Sequence, residues 1–241
     1  MIFELIEILL WFIAVTFCFL SSILFFLEYK KRTGFSRFFF RGVCIFTLTY
    51  AISRLIENIR RYFIGTYNDI FEAWIRGEQI TGTNLLFRVL YIIISWIGII
   101  LLYYNIERYI FTNNKYIITF FSIIEAILSI LNYLYFNSIC FWLHVFIFII
   151  PAYFISILFF HAARNAQTKY VRNGCILTAI GVILFTSAVI IDLPEYAYVN
   201  HIFGINYIEV FNRIIAPILI ILGLLFCTIG LKTHFQEKQP V

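Results

Sequence analysis

The sequence has little charge. Only 13% of its 241 residues are Asp, Glu, Lys or Arg, whereas 62% are apolar and 20% are aromatic. Soluble domains carry charge on about a quarter of their residues. This composition excludes a disordered chain, a secreted disulfide scaffold and a nucleic-acid-binding domain, and it indicates an integral membrane protein.

Cysteine and histidine are scarce, and their spacing is not that of metal ligands. The five cysteines show neither CxxC nor Cys/His spacing, and all except Cys140 lie inside apolar runs. We therefore expect no disulfide framework, no metal site and no bound cofactor. His144 and His161 lie at different depths of one apolar run, which argues against a haem pair. No catalytic constellation of Ser, His and Asp is present, so the sequence gives no support for an enzyme.

Seven apolar runs are long enough to cross a bilayer as helices, which takes about 20 residues. They cover residues 5–27, 39–59, 85–104, 117–136, 141–161, 175–193 and 207–231. The sequence therefore predicts an all-α membrane protein of the cell membrane, with one seven-helix domain over residues 1–241.

Positive charge is distributed unevenly between the two sides of these runs. Twelve of the 18 Lys and Arg residues follow the first, third, fifth or seventh run, whereas only Arg60, Arg61 and Arg76 lie in a loop on the opposite side. Because basic loops stay in the cytoplasm, the N-terminus is predicted outside and the C-terminus inside.

The longest predicted loop contains a segment with helical periodicity, residues 68–77. Ile70 and Trp74 share one face of this segment, whereas Glu72 and Arg76 face away. We predict an amphipathic helix on the outer membrane surface. The alternative is an irregular lid over the helices.

Ionisable side chains inside a bilayer are costly and are therefore functional candidates. In this chain they lie mainly in the outer halves of the predicted spans, with Glu125 nearest the midplane. The candidate ligand-binding residues are Arg54, Glu57, Arg88, Glu125, Asn132, Asp192, Glu209 and Arg213.

Helical spacing suggests partners for several of these side chains. Arg54/Glu57 is an i,i+3 pair, whereas Glu57/Arg61 and Glu209/Arg213 are i,i+4 pairs. Two interpretations remain open. The charges either line a pocket for a small polar or anionic ligand, or they hold the helices together.

Glu125 is different because it has no basic neighbour three or four residues away. It must find a partner on another helix, with Arg88 and Arg54 as the candidates, or remain protonated.

Two prolines interrupt predicted spans. Pro151 and Pro217 each remove a backbone hydrogen bond, which predicts a kink. A kink can act as a hinge for signalling or can be a static bend. Both positions are hinge candidates.

The predicted topology, seven spans with the N-terminus outside, resembles that of several receptor families. The seventh span has no lysine before Lys232, so a retinal Schiff base is excluded. Glu107-Arg108-Tyr109 matches the acidic–Arg–Tyr triplet of G-protein-coupled receptors, but the other marks of that family are missing.

The chain more closely resembles uncharacterised archaeal seven-helix proteins and the seven-helix sensor module of prokaryotic histidine kinases. The resemblance covers most of the chain and is carried by Phe87–Tyr91, Ile106–Ile110, Lys169–Arg172, Ile191-Asp192 and the Pro217/Gly223/Gly230 pattern. It implies signal perception without catalysis.

The sequence thus favours a sensor or receptor that binds a small ligand in the outer half of the helices. No kinase follows the last span, so we expect output through a cytoplasmic or membrane protein partner. Candidate docking residues are Glu107, Arg108, Lys169 and Arg172. The alternatives are a non-catalytic subunit of a larger membrane complex, and a small transporter or channel with Glu125 as the coupling carboxylate. Besides such a partner, the chain is expected to contact the lipid bilayer. No nucleic acid is expected to bind.

Overall fold

The computed structural model describes residues 2–64, 69–76, 78–110, 116–135, 138–203 and 209–236. Within these ranges it describes every side chain except those of residues 69, 71, 109–110, 138, 209–212 and 235–236. This part of the chain is almost entirely helical and contains no strand. The predicted all-α fold is confirmed.

The described helices are joined by short connections. In chain order they are α1 (Ile2–Lys31), α2 (Gly34–Ile59), a π-helical turn (Arg60–Ile64), α3 (Asp69–Ile75), α4 (Gly82–Ile110), α5 (Ile117–Leu134), α6 (Ser138–Arg164), α7 (Lys169–Asp192), α8 (Pro194–Ile202) and α9 (Glu209–Gln236).

Seven of these helices are long and apolar enough to cross a membrane: α1, α2 with its π-helical turn, α4, α5, α6, α7 and α9. Each one contains or closely overlaps a predicted span. The seven spans are therefore confirmed, and the chain is a multi-pass membrane protein. The two remaining helices, α3 and α8, are too short to cross.

Local sequence explains where several helices begin. Gly34 and Gly82 start α2 and α4 with φ angles of 58° and 66°, in the left-handed region that favours glycine. Thr168 caps α7, because its side chain accepts a hydrogen bond from the Val171 N–H at 3.3 Å. Pro194 opens α8, where its fixed φ suits the first helical position.

Large apolar side chains are exposed along the long helices. Leu20 is 53% exposed, Ile123 is 41% exposed and Phe146 is 65% exposed. Such a surface is unfavourable in water and is suited to hydrocarbon chains, so these side chains face lipid.

The contacts within the chain group into two compact units. Unit 1 comprises Met1–Phe17, Pro151–Leu193 and Ile208–Val241, whereas unit 2 comprises Cys18–Ile150 and Pro194–Tyr207.

In unit 1, helices α7 and α9 pack together through glycines. A Cβ atom on Gly181 would lie 2.7 Å from both the Cys227 nitrogen and the Gly223 oxygen, and a Cβ atom on Gly174 would lie 2.9 Å from the Gly230 oxygen. Real Cβ contacts are not that short, so the two backbones approach closely only because these residues lack a side chain.

In unit 2, α2 packs against α4, and α4 packs against α5. The short helices α3 and α8 pack against each other, and we call this pair the lid. One apolar core joins the lid to the long helices: it includes Ile70 and Trp74 of α3 together with Trp96, Tyr133 and Phe141, all buried.

Aromatic rings join the lid to the long helices. The Trp74 ring of α3 lies 5.2 Å from the Tyr133 ring and 6.0 Å from the Tyr198 ring of α8, and the Tyr198 ring lies 5.1 Å from the Phe141 ring. The helix predicted within residues 68–77 is therefore present. Its apolar side contacts protein instead of the membrane surface, as in the alternative lid arrangement.

Pro151 and Pro217 lie inside α6 and α9, and both helices continue past them. The boundary between the first segment of unit 2, which ends at Ile150, and the segment of unit 1 that starts at Pro151 lies inside α6. The hinge function of the two prolines stays a prediction.

Candidate ligand-binding site

The site begins at the end of α2, where one carboxylate binds two neighbouring arginines. Arg60 donates two hydrogen bonds to Glu57, with Nε–Oε2 and Nη2–Oε1 distances of 3.0 and 2.9 Å. Arg61 donates from Nε to Glu57 Oε1 at 3.1 Å. The i,i+4 pair of Glu57 and Arg61 is thus confirmed. The π-helical turn starts at Arg60, and turns of this kind occur frequently at functional sites.

A third guanidinium reaches the same carboxylate from α4. Arg88 Nη1 lies 3.1 Å from Glu57 Oε1, and Arg88 Nη2 donates to the Tyr133 hydroxyl at 2.6 Å. Glu57 is fully buried and Arg88 is 1% exposed. A buried charge is tolerated only with an oppositely charged partner and hydrogen bonds, and here one carboxylate contacts three arginines.

Arg54 lies one helical turn before Glu57 and also contacts aromatic groups. Its Nε donates to the Tyr50 hydroxyl at 2.9 Å. The Arg54 and Arg88 guanidinium carbons lie 5.2 and 4.7 Å from the centre of the Tyr91 ring, so one aromatic ring interacts with two cations. We call Arg54, Glu57, Arg60, Arg61 and Arg88 the arginine cluster.

A second group of titratable side chains adjoins the cluster. His144 Nδ1 of α6 contacts the Glu125 carboxylate of α5, and His144 Nε2 lies 3.6 Å from Glu195 Oε1 of α8. We call these three residues the Glu–His–Glu group. All three are buried.

Glu195 links the two groups. Its Oε1 accepts a 2.6 Å hydrogen bond from the Tyr133 hydroxyl, and its Oε2 lies 3.9 Å from Arg88 Nη2. Burial raises the pKa of Glu195. The hydrogen bond and charge of His144, the charge of Arg88 and the Tyr133 hydrogen bond together outweigh burial and leave the pKa below its usual range.

Two buried amides lie next to these groups in the sequence. Asn58 follows Glu57 and Asn132 precedes Tyr133, with exposures of 1% and 0%. Within the described part of the chain, neither amide group has a hydrogen-bond partner. A buried amide without a partner costs free energy, which is typical of a position that hydrogen-bonds another molecule.

No protein family model, no curated protein and no solved structure matches this chain.

The structure brings five of the predicted ligand-binding residues into unit 2: Arg54, Glu57, Arg88, Glu125 and Asn132. All five are buried. The charged side chains of these spans thus contact protein instead of lipid.

The other predicted residues lie in unit 1. Asp192 is 3% exposed at the end of α7. Arg213 Nη1 lies 3.6 Å from Glu7 Oε2 of α1, a pairing that the sequence did not suggest. The side chain of Glu209 lies outside the described residues, so the predicted Glu209/Arg213 pair stays a prediction.

Glu125 has a partner on another helix, as predicted, but the predicted identity of that partner was wrong. Glu125 pairs with His144 instead of Arg88 or Arg54. Arg88 instead contacts Glu57, Glu195 and Tyr133. The contacts of His144 with Glu125 and Glu195 were not predicted, because the sequence does not show which faces of α5 and α6 meet.

The predicted docking residues differ in exposure. Arg108, Lys169 and Arg172 are exposed. Glu107 is 1% exposed, and its two carboxylate oxygens accept hydrogen bonds from the backbone N–H groups of Ile118 and Thr119 at 2.7 and 2.8 Å. The Glu107 carboxylate therefore caps α5 and does not present a docking surface.

Sequence reasoning did not select five of the residues that make the site. These are Arg60, Arg61, Tyr133, His144 and Glu195. Arg60 and Arg61 were assigned to a loop, although the helix continues through them. The Pro194-Glu195 dipeptide carries a helix-start signal, since proline suits the first position and an acidic side chain suits the first turn.

Proposed function

We propose that this protein is a sensor or receptor of the cell membrane that binds a small oxyanion, such as a carboxylate or sulfate, at the arginine cluster. The ligand reaches the site from outside the cell, at the end of unit 2 covered by the lid. Output passes to a separate protein through Arg108, Lys169 and Arg172, with Pro151 and Pro217 as hinges.

One observation carries this proposal: three buried guanidinium groups contact the single carboxylate of Glu57, and the buried Arg54 shares the Tyr91 ring with Arg88. Next to Glu57 and Tyr133 in the sequence are buried amides without partners in the described chain. Guanidinium groups bind oxyanions through paired hydrogen bonds, and amide N–H groups add further donors. Charges that only hold helices together need no such unused donors.

Burial of these charges also bears on the alternative of a complex subunit. Such a subunit would turn charged side chains towards its partner. Arg54, Glu57, Arg88 and Glu125 are all at most 1% exposed and face the interior of unit 2, which favours an internal site.

The test is thermal unfolding of the purified protein in a non-ionic detergent, with chloride, acetate or sulfate added in the millimolar range. Acetate or sulfate is expected to raise the unfolding midpoint, because a ligand that binds only the folded state stabilises it. An unchanged midpoint with all three anions would contradict the proposal. If the unfolding midpoint rises only when phosphatidylglycerol is added in place of these anions, the ligand is a lipid headgroup and not a soluble anion.

Asn132→Leu separates a binding role from a packing role. Leucine has similar volume and removes an amide without a partner, so the unfolding midpoint without added anion should stay the same or rise. The increase caused by sulfate should shrink. A lower midpoint with an undiminished sulfate response would assign Asn132 to packing alone. Arg76→Gln is the control, because this arginine is exposed and pairs only with surface carboxylates among the described residues.

A small transporter is a second candidate, favoured by a polar stripe on α5. Thr119, Ser122, Glu125, Ser129 and Asn132 recur every three or four residues and are all buried. Uptake of radioactive sulfate into proteoliposomes would support this candidate over the receptor, whereas binding without uptake would support the receptor.

A further inference from the structure

The imidazole of His144 lies between two carboxylates. Its Nδ1 contacts Glu125, and its Nε2 lies 3.6 Å from Glu195 Oε1. The three side chains come from α5, α6 and α8 and are at most 5% exposed. Water therefore does little to weaken the interactions among them.

This geometry favours two protons on the Glu–His–Glu group. Each of its two contacts needs one hydrogen, because an imidazole lone pair repels a carboxylate. The hydrogens either both sit on a charged imidazolium, or one of them sits on a carboxyl group. In both cases the three side chains together carry one negative charge.

A metal ion does not fit this arrangement. The two carboxylates face opposite nitrogens of the ring, so their oxygens and one nitrogen do not converge on a single point. Among the described residues there is no group of three or more His, Cys, Asp or Glu side chains that could hold a metal ion. The Glu–His–Glu group is suited to bind a proton and not a metal ion.

Glu195 connects this proton-binding group to the arginine cluster. Its Oε2 faces Arg88 at 3.9 Å and accepts no hydrogen bond within the described structure. The positive charge of Arg88 is thus held by Glu57 and Tyr133 directly and by Glu195 at longer range.

We propose that binding of an oxyanion at the arginine cluster is coupled to uptake of one proton by the Glu–His–Glu group. This inference rests on the proposed function. The bound anion competes with Glu195 for the charge of Arg88 and adds a negative charge nearby. Glu195, or Glu125 through His144, then accepts one proton from the buffered solvent, whose buffer acid is converted to its conjugate base, and the carboxylate becomes a neutral carboxyl group.

The neighbouring charged groups set the sign of this coupling. The Glu–His–Glu group faces Tyr133 from α5 and Arg88 from α4, and Arg88 in turn faces Glu57 from α2. Arg88 is the cation in contact with Glu195 across helices, and an anion that neutralises it favours protonation. Because linkage is reciprocal, protonation must strengthen anion binding, so affinity rises as pH falls.

The test uses sulfate and covers about pH 5 to 8, the range in which histidine side chains usually titrate. The charge of sulfate does not change in this range. Isothermal titration calorimetry of the full chain in detergent, repeated in buffers of different ionisation enthalpy, measures proton uptake directly. We expect uptake of up to one proton per sulfate bound. The affinity should rise by at most about tenfold for each unit of falling pH.

The possible results separate this inference from the proposed function. Absence of sulfate binding at every pH would overturn both. Binding without proton uptake, and with an affinity independent of pH, would overturn only the coupling. The wild-type measurement alone decides between these results, so the inference does not depend on how well a variant folds.

Variants then locate the proton. His144→Gln and Glu125→Gln should each flatten the pH dependence of the sulfate affinity, because each removes a member of the group that shares the protons. His161→Gln is the matched control: this histidine lies on the same helix, is exposed and contacts Asn165. A pH dependence that survives both substitutions would place the proton elsewhere and contradict the assignment.

Discussion

At the scale of single residues, Glu107 shows how a charged side chain at a helix end becomes part of the fold. Its carboxylate accepts hydrogen bonds from two backbone N–H groups of α5 and a third, at 2.6 Å, from the Thr119 hydroxyl. The first N–H groups of a helix have no partner within the helix, and a carboxylate also interacts favourably with the helix dipole.

We expect Glu107→Gln to destabilise the protein by about 1–3 kcal/mol, because the amide retains one acceptor oxygen and turns an NH₂ group towards backbone donors. Denaturant titration in detergent micelles measures this change. Glu72→Gln is the control, since Glu72 is half exposed and pairs only with Arg76 among the described residues. Equal stability of the two variants would mean that the cap contributes nothing and that docking remains open for Glu107.

The charged residues also show what local sequence can predict. The Glu57/Arg61 pair could be predicted because both residues belong to one helix, whose geometry is known in advance. The contacts of Glu125 with His144 and of Arg88 with Glu195 could not, since they depend on which faces of different helices meet. The burial cost of an isolated carboxylate did predict that Glu125 needs a partner, but it did not select the partner.

At the scale of helices, α7 and α9 depend on glycine for their close approach. Gly181 faces Gly223, and Gly174 faces Gly230, and the two glycines of each helix are seven positions apart in the sequence. In a membrane, helices gain little from the hydrophobic effect when they associate, so close van der Waals packing carries more of the interaction.

Gly181→Ala is expected to destabilise the protein by about 1–3 kcal/mol, because the added Cβ meets backbone atoms at 2.7 Å and the helices must separate. Gly42→Ala is the matched control. There the nearest atom is the end of the Leu102 side chain at 3.2 Å, which can move, so stability should change by less than about 1 kcal/mol. The measurement is again denaturant titration in detergent, and a larger loss for Gly42→Ala would contradict this account.

The seven spans could be predicted because each depends only on the length and hydropathy of its own segment. The lid could be predicted only in part. Periodicity indicated α3 but not whether its apolar face contacts lipid or protein. The short helix α8 was not predicted, although it starts with Pro194-Glu195 directly after the sixth predicted span.

At the scale of the whole molecule, basic residues indicate which side of the membrane each connection occupies. Lys30 and Lys31 at the end of α1 and Arg37 and Arg41 near the start of α2 are exposed. Arg108 and Lys169 are exposed at later connections, which the alternation of the spans assigns to the same side. The connection that contains α3 instead has Arg76 paired with Glu72 and Glu78. The positive-inside rule therefore predicts that the lid faces outwards.

This orientation is testable with single cysteines and a membrane-impermeant maleimide. Cys140 is replaced by Ser first, because it lies at the lid end of α6 and is partly exposed. Glu78→Cys should then be labelled on intact cells, and Lys169→Cys only after the cells are permeabilised, since both native positions are exposed. The reverse pattern would place the lid and the arginine cluster on the cytoplasmic side. Oxyanion binding and its coupling to a proton would remain possible there, but the ligand would have to come from the cytoplasm, and a receptor for an external signal would be ruled out.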